Sequence, residues 1–427
     1  MAEIDEILLK NWGYSTFRPL QREIISSVLN GSDTLALLPT GGGKSICFQV
    51  PALAKPGLCL IVSPLIALMN DQVQNLVKKG IRAMAITSAM SKPEIDIAFS
   101  NCIYGGYKFL YVSPERLQTE LFLKKIEALK ISLIAVDEAH CISQWGYDFR
   151  PSYLNIVKLR EYLPGVPVIA VTASATKEAV EDIRRKLEFR NDKVFRATFE
   201  RKNLHYIVQQ EENKQARLLK ICNNIPGTGI VYVRNRRKTM EIADFLYKQN
   251  ISADYYHAGL DAETRNKKQL DWINNKTRVI VSTNAFGMGI DKPDVRFVVH
   301  IDLPDSLEAY FQEAGRGGRD EKKSYAIALV QKIDILHLKE NLENAFPTLE
   351  QMKQSYQAIA NYYQVAVGAG QGLTVEFNLD EICAKYNLKH SILFNSMRFL
   401  EKEGYISLND VSFEPGKIFV KAKKDEL

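Results

Sequence analysis

Long apolar runs are missing from this chain. No stretch of its 427 residues approaches the ~20 apolar residues that cross a bilayer as a helix, so no membrane partner is expected. Cysteine is scarce, and none of the six (Cys47, Cys59, Cys102, Cys141, Cys222, Cys383) pair at metal-ligand spacing. Scattered single thiols point to a reducing compartment rather than a disulfide framework. The N-terminal MAEIDEILLK is acidic and short of apolar length, so no export signal is expected. The last four residues, Lys424-Asp425-Glu426-Leu427, spell an ER-retention signal, which without an entry signal reads as coincidence. A cytoplasmic protein of bacterial cytoplasm or nucleoid type is expected. Neither charge sign dominates: 56 basic against 50 acidic residues give +6. Residues 341–427 hold 9 basic and 11 acidic residues, or −2, leaving 47 against 39, or +8, in the first 340. That mild excess fits phosphate-backbone contact and many ordinary enzymes equally.

What is present is apolar residue in quantity, 46%, enough for substantial cores. Short apolar runs at 34–38, 58–62, 108–112, 133–136 and 166–171 each precede a helical stretch. The alternation returns at 229–233, 253–256, 278–282, 297–301 and 325–330. Buried parallel strands read this way, so the pattern predicts an α/β fold of two tandem domains with parallel sheets. The boundaries fall at 1–200, 201–340 and 341–427, with the first join in the polar stretch 198–203. The last segment predicts a helix over 349–365, a glycine-rich break, a helix pair over 379–386 and 391–403, and strands at 405–408 and 418–421. Helix, turn, helix and hairpin in that order suggest a small α+β winged helix.

Three segments carry chemistry. Thr40-Gly41-Gly42-Gly43-Lys44-Ser45 follows a strand and opens a helix. Glycines there let backbone N–H groups close on phosphate oxygens, Lys44 reaches the β- and γ-phosphates of ATP, and Ser45 holds Mg²⁺. The loop lacks the first glycine of the common pattern, which Leu38 replaces. Asp137-Glu138-Ala139-His140 ends an apolar strand, expected next to the phosphate-loop strand. Asp137 is the second Mg²⁺ contact and Glu138 the base for the attacking water; the bland reading is a pair of helix-capping acids. Far along the chain, Arg316 and Arg319 stand three apart in a glycine-rich turn, suited to spreading phosphate charge, or else form a basic surface turn.

Together these segments resemble the RecQ family of DNA helicases, within superfamily 2, over roughly residues 10–335. The most specific segment is Asp137-Glu138-Ala139-His140-Cys141-Ile142-Ser143-Gln144-Trp145-Gly146-Tyr147-Asp148-Phe149-Arg150-Pro151. Its Trp145, Tyr147, Phe149 and Arg150 offer flat faces for base stacking, worth ~1–3 kcal/mol per base, unless they pack in a core. The resemblance implies adenine recognition by Tyr14, Arg18 and Gln21. It implies strand contacts at Ser63 and Pro64, in a segment continued by Asp71-Gln72, and at Ser113, Thr283 and Asn284. It implies nucleotide contacts at Gly289 and Asp291, and a catalytic Gln312 beside Arg316 and Arg319. It further implies a monomer that moves 3′→5′ on single-stranded DNA, unwinds duplex DNA and serves repair and recombination. The chain departs from the family in one respect. Many members carry a four-cysteine zinc module after the arginine motif, and here Cys383 stands alone beyond Cys222, so no zinc is expected. An RNA helicase, a translocase that does not unwind, and an inactive scaffold remain open alternatives.

Overall fold

The computed structural model describes residues 2–143, 149–173, 175–198, 200–286, 292–366, 369–409 and 417–420. The chain divides into two compact units, 1–330 and 331–427.

The first unit holds two parallel sheets. In chain order the first sheet comprises β1 (Thr34–Leu37), β2 (Leu58–Val62), β3 (Ala83–Ile86), β4 (Phe109–Val112), β5 (Ile131–Val136), β6 (Val168–Thr172) and β7 (Lys193–Arg196). They lie in the order β3-β4-β2-β5-β6-β1-β7. Central strands are apolar at nearly every position, Thr34, Ser132 and Thr172 excepted, because both faces of the sheet are covered. Leu35, Leu37, Leu60, Val62 and Val136 feed one core, and Ala36, Ile61, Ala135 and Val171 feed the other. Asp33 anchors the front of β1 to both neighbours: Oδ1 accepts from Val168 N (2.8 Å), and Oδ2 from Arg190 N (2.6 Å) and Arg160 Nη2 (2.6 Å). The strand that presents the phosphate loop is thereby fixed at its base.

The second sheet comprises β8 (Leu204–Gln210), β9 (Thr228–Tyr232), β10 (Ala253–Tyr256), β11 (Val279–Ser282), β12 (Val295–His300) and β13 (Ser324–Val330). Their order is β10-β11-β9-β12-β13-β8, again parallel throughout. Gly229 must lack a side chain, since a Cβ there would sit 2.0 Å from the Phe297 ring. In both sheets the parallel strands deliver their following loops to one edge, where ligands of open α/β sheets bind.

The second unit starts at Gln331, before helix Lys332–Ala345, and so ten residues ahead of the boundary expected at 340/341. Helices Leu349–Tyr362, Leu379–Tyr386 and His390–Lys402 pack on a core of Ala358, Ile382, Cys383, Leu393, Met397 and Ile406. β14 (Thr374–Glu376), β15 (Ile406–Asn409) and β16 (Lys417–Val420) form an antiparallel sheet in the order β14-β16-β15. The helix expected over 349–365 ends at Tyr362, and the expected hairpin gains an outer strand, β14. This is a winged-helix arrangement. Residues 410–416, where turns were expected, and 421–427 lie outside the described residues.

Candidate active site

β1 runs into the loop that carries Thr40 to Ser45, and helix Ile46–Ala54 follows. Gly41 (φ +80°) and Gly43 (φ +75°) take left-handed backbone that a side chain would strain. Space forbids side chains as well: a Cβ on Gly42 would lie 2.8 Å from Pro39 O, and one on Gly43 2.4 Å from Gln21 Nε2. The loop is therefore a tight cradle, with Gly41, Gly43, Lys44 and Ser45 lining a cleft of about 810 Å³.

Gln21 braces that cradle from behind. Its Nε2 donates to Gly42 O (3.3 Å) and Gly43 O (3.1 Å), its Oε1 accepts from Arg18 N (2.9 Å), and it is 3% exposed. The Arg18 guanidinium donates to Gly41 O. Adenine recognition was expected of both residues. Both also hydrogen-bond the loop backbone, and all three residues line the cleft, Tyr14 with a largely exposed ring.

The acidic pair follows β5. The expectation that this strand adjoins β1 is corrected by the sheet order, in which β6 lies between them. His140, after the acids, meets Thr172 Oγ1 at the end of β6 through Nδ1 (2.9 Å) and so ties the two loops together. Glu138 takes a left-handed backbone (φ 47°, ψ 49°), and Oε1 sits 3.8 Å from Lys44 Nζ. Its Oε2 is buried without a hydrogen bond. Asp137 is held by Tyr153, whose hydroxyl donates to Asp137 O (2.9 Å). Burial first, and then the neighbouring Glu138 charge, push the Asp137 carboxyl up to about 7, against the pull of Lys44. Hard oxygen donors from Ser45 and Asp137, beside an unsatisfied Glu138 oxygen, fit a Mg²⁺ ion. Ser45 Oγ is itself restrained, accepting from Gln72 Nε2 (3.1 Å), while Gln72 Oε1 accepts from Gln49 Nε2 (3.1 Å).

The raised Asp137 pKa has a sign that can be tested. A folded-state acid pKa above the unfolded value stabilises the fold at low pH and loses that contribution as pH rises from about 4 toward 7. Asp137→Asn should therefore melt above wild type without metal at pH 8, with a smaller gap at pH 5. Mg²⁺ and ATP should then raise the melting temperature of wild type and not of the variant. Thermal scans at both pH values decide it, and a pH-independent gap would remove the buried-charge account.

The second sheet completes the cleft. Helix Leu307–Ala314 leads into Gly315-Arg316-Gly317-Gly318-Arg319, and Gln312, Arg316 and Arg319 all line the cavity opposite Lys44. The Arg319 stem lies on the phosphate loop, its Cγ 3.2 Å from where a Cβ of Gly41 would stand, and a Cβ on Gly315 would stand 3.1 Å from Thr40 Cβ. Arg316 is 5% exposed, hydrogen-bonds Tyr232, and keeps Nε buried without a partner. His300 Nε2 meets Glu313 Oε2 (2.9 Å) and stacks on Tyr232, fixing the platform behind Arg316.

The expected strand contacts fare unevenly. Pro64, Ser113 and Asn284 reach the surface, whereas Ser63 is fully buried and Thr283 nearly so. The Ser63 hydroxyl is buried without a hydrogen bond, so a strand would meet this position through its backbone or its neighbour Pro64. Arg150 Nη1 donates to Pro64 O (2.9 Å) and so ties the acidic segment to the Pro64 turn. Phe149 has Lys186 Nζ 5.4 Å from its ring centre. Trp145, Tyr147, Gly289 and Asp291 lie outside the described residues. Tyr153, Gln49 and Gln72 were missed as site residues. Of these only Gln72 carried a signal, its place after the Ser63-Pro64 segment.

Residues 18–183 match the DEAD/DEAH box helicase family, and residues 213–321 match the helicase conserved C-terminal domain. Over 334 residues the chain is 43% identical to the "Probable ATP-dependent DNA helicase RecS" of Bacillus subtilis, covering 77% of this chain and 67% of that protein. It is 41% identical over 337 residues to the ATP-dependent DNA helicase RecQ of Haemophilus influenzae, covering 79% of this chain and 54% of that one. The chain thus spans about two thirds of the first relative and about half of the second. Among solved structures the DUF1998 helicase MrfA bound to DNA shares the fold, with a TM-score of 0.65 at 18% identity over 98% of this chain and 62% of that one. Two parallel sheets facing one cleft, an acidic pair and an arginine turn on opposite walls, and these similarities make this chain a member of the RecQ family of DEAD/DEAH box helicases.

Proposed function

We propose that this chain hydrolyses ATP in the cleft between its two sheets and uses the cycle to move along single-stranded DNA and unwind duplex DNA. The observation that carries this is the contact of Arg319, from the second sheet, with Gly41 of the phosphate loop. Hydrolysis then depends on how the two sheets approach, and the strand held across them moves as they close and open. Lys44 binds the β- and γ-phosphates, and Ser45 and Asp137 hold Mg²⁺. The ion supplies charge neutralisation at the transferring phosphoryl group. Glu138 takes the proton of the attacking water, while Arg316 and Arg319 spread charge on the γ-phosphate and Gln312 orients the group. The alternative of an inactive scaffold is disfavoured because every one of these side chains lines the cleft.

Travel is 3′→5′ and the work is repair and recombination, both supported by family membership. Six buried free thiols suit a reducing cytoplasm, where the chain acts as a monomer on DNA. Among the described residues no helix is long and apolar enough to cross a membrane. The test is unwinding of 3′-tailed and 5′-tailed duplexes with ATP, with ATPase stimulation by DNA and RNA measured in parallel. The 3′-tailed DNA should open and DNA should stimulate more; Lys44→Ala should abolish both activities. Opening of only the 5′-tailed duplex would reverse the polarity, and greater stimulation by RNA would replace the substrate.

A further inference from the structure

The connection between the two sheets is short: β7 ends at Arg196 and β8 begins at Leu204. Arg201 lies in it, partly buried, and among the described residues it pairs with no carboxylate. Its Nη2 donates to two consecutive carbonyls, Gly317 O (3.1 Å) and Gly318 O (2.6 Å), and its Nε to Asn203 Oδ1 (3.3 Å). Asn203 joins the same grip, with Nδ2 donating to Gly318 O (2.7 Å) and Lys322 O (2.9 Å) and its carbonyl accepting from Ser324 N (2.9 Å). Gly318 is left-handed (φ +60°), and a Cβ there would come within 2.5 Å of Asn203 Nδ2. The gripped peptide is thus closely surrounded, and it is the one between Arg316 and Arg319.

Half-burying a guanidinium against carbonyl oxygens is costly, and burial lowers the Arg201 pKa, with the Arg18 charge adding to it and Glu321 opposing it. A simple linker would leave that charge in water. We propose that Arg201, assisted by Asn203, is a positioning residue for hydrolysis: from the connection between the sheets it fixes the backbone that aims Arg316 and Arg319 at the phosphate loop. The aim of the arginines then follows the hinge, so a change in the angle between the sheets is transmitted to the phosphates without passing through the strand-binding surface. This rests on reading the cleft as an ATPase site.

The test compares Arg201→Ala, Arg201→Lys, Arg319→Ala and the Arg201→Ala/Arg319→Ala double variant in the full chain. Turnover and KM for ATP are measured with single-stranded DNA present, alongside affinity for a fluorescent ATP analogue and melting temperature. Losing a charged donor to buried carbonyls should lower kcat about 10- to 100-fold in Arg201→Ala, with KM and analogue affinity close to wild type. Arg201→Lys keeps one charged donor and should fall between, at wild-type melting temperature, which separates aim from folding. In the double variant the two losses should fall short of multiplying, because once Arg319 is gone the clamp has only Arg316 left to aim. Wild-type kcat in Arg201→Ala, or losses that multiply in the double variant, would overturn the clamp. If Arg319→Ala itself hydrolyses normally, the ATPase reading of the arginine turn fails instead.

Discussion

Glu138→Gln yields a protein that binds ATP with near-wild-type affinity and hydrolyses it about 10²- to 10⁴-fold more slowly, the usual contribution of a positioned general base. The side chain is well placed for that role. It is buried, one carboxylate oxygen is 3.8 Å from Lys44 Nζ, and the other carries no hydrogen bond. That second oxygen sits 3.4 Å from His140 Nδ1 without a hydrogen bond, and a buried carboxylate oxygen left short of one is a costly arrangement, of the kind kept where a reacting group must be met. The left-handed backbone at Glu138 adds strain of roughly 1–2 kcal/mol for a non-glycine residue. Glutamine preserves shape and reach and removes only basicity, so Lys44, Ser45 and Asp137 remain able to hold nucleotide. Single-turnover hydrolysis and titration with a fluorescent nucleotide separate the two steps. Normal turnover would mean that a different group activates the water.

Arg319→Ala lowers turnover about 10³- to 10⁵-fold, the range found when an arginine finger is removed. Arg319 comes from the far wall and lies on Gly41, so its charge reaches the phosphates only while the two sheets are close. ATP affinity in the isolated chain should change little, because the cradle and Lys44 belong to the first sheet. Arg319→Lys should not restore the rate, since a point charge cannot reproduce the planar fork that spans two phosphate oxygens. Stopped-flow measurement of phosphate release, beside nucleotide binding, provides the check. Full recovery in Arg319→Lys would reduce the residue to a general positive charge.

The central strands and the chemistry-bearing loops were legible because each has a local signature: an apolar run, a glycine cluster, a carboxylate at a strand end. The strands that escaped reading were β3, β7, β8 and β14, and every one lies at a sheet edge. An edge strand is half in water, so it needs no continuous apolar run; β7 and β8 are mostly exposed along their length. The site residues that escaped have a different cause. Gln72 meets Ser45, Tyr153 meets Asp137 and Arg201 meets Gly318 through side chain contacts between distant parts of the chain. Spacing along the chain says nothing about such pairs until the sheet order is known. Gln21 shows the reverse: the resemblance pointed to adenine, and spacing along the chain gave no sign that its amide also braces the backbone of the phosphate loop.

The strand β6 acts as a ruler. By standing between β1 and β5 it sets the gap between the phosphate loop and the acids at two strand spacings, about 9–10 Å at the backbone. That interval is a property of the hydrogen-bonded ladder and does not depend on which side chains the ladder carries. The spacing of the two strand ends is thus set by the ladder, and the loops have only to hold their chemistry at those ends. The adjustable mark on the ruler is Thr172 at its tip, where its bond to His140 registers one loop against the other.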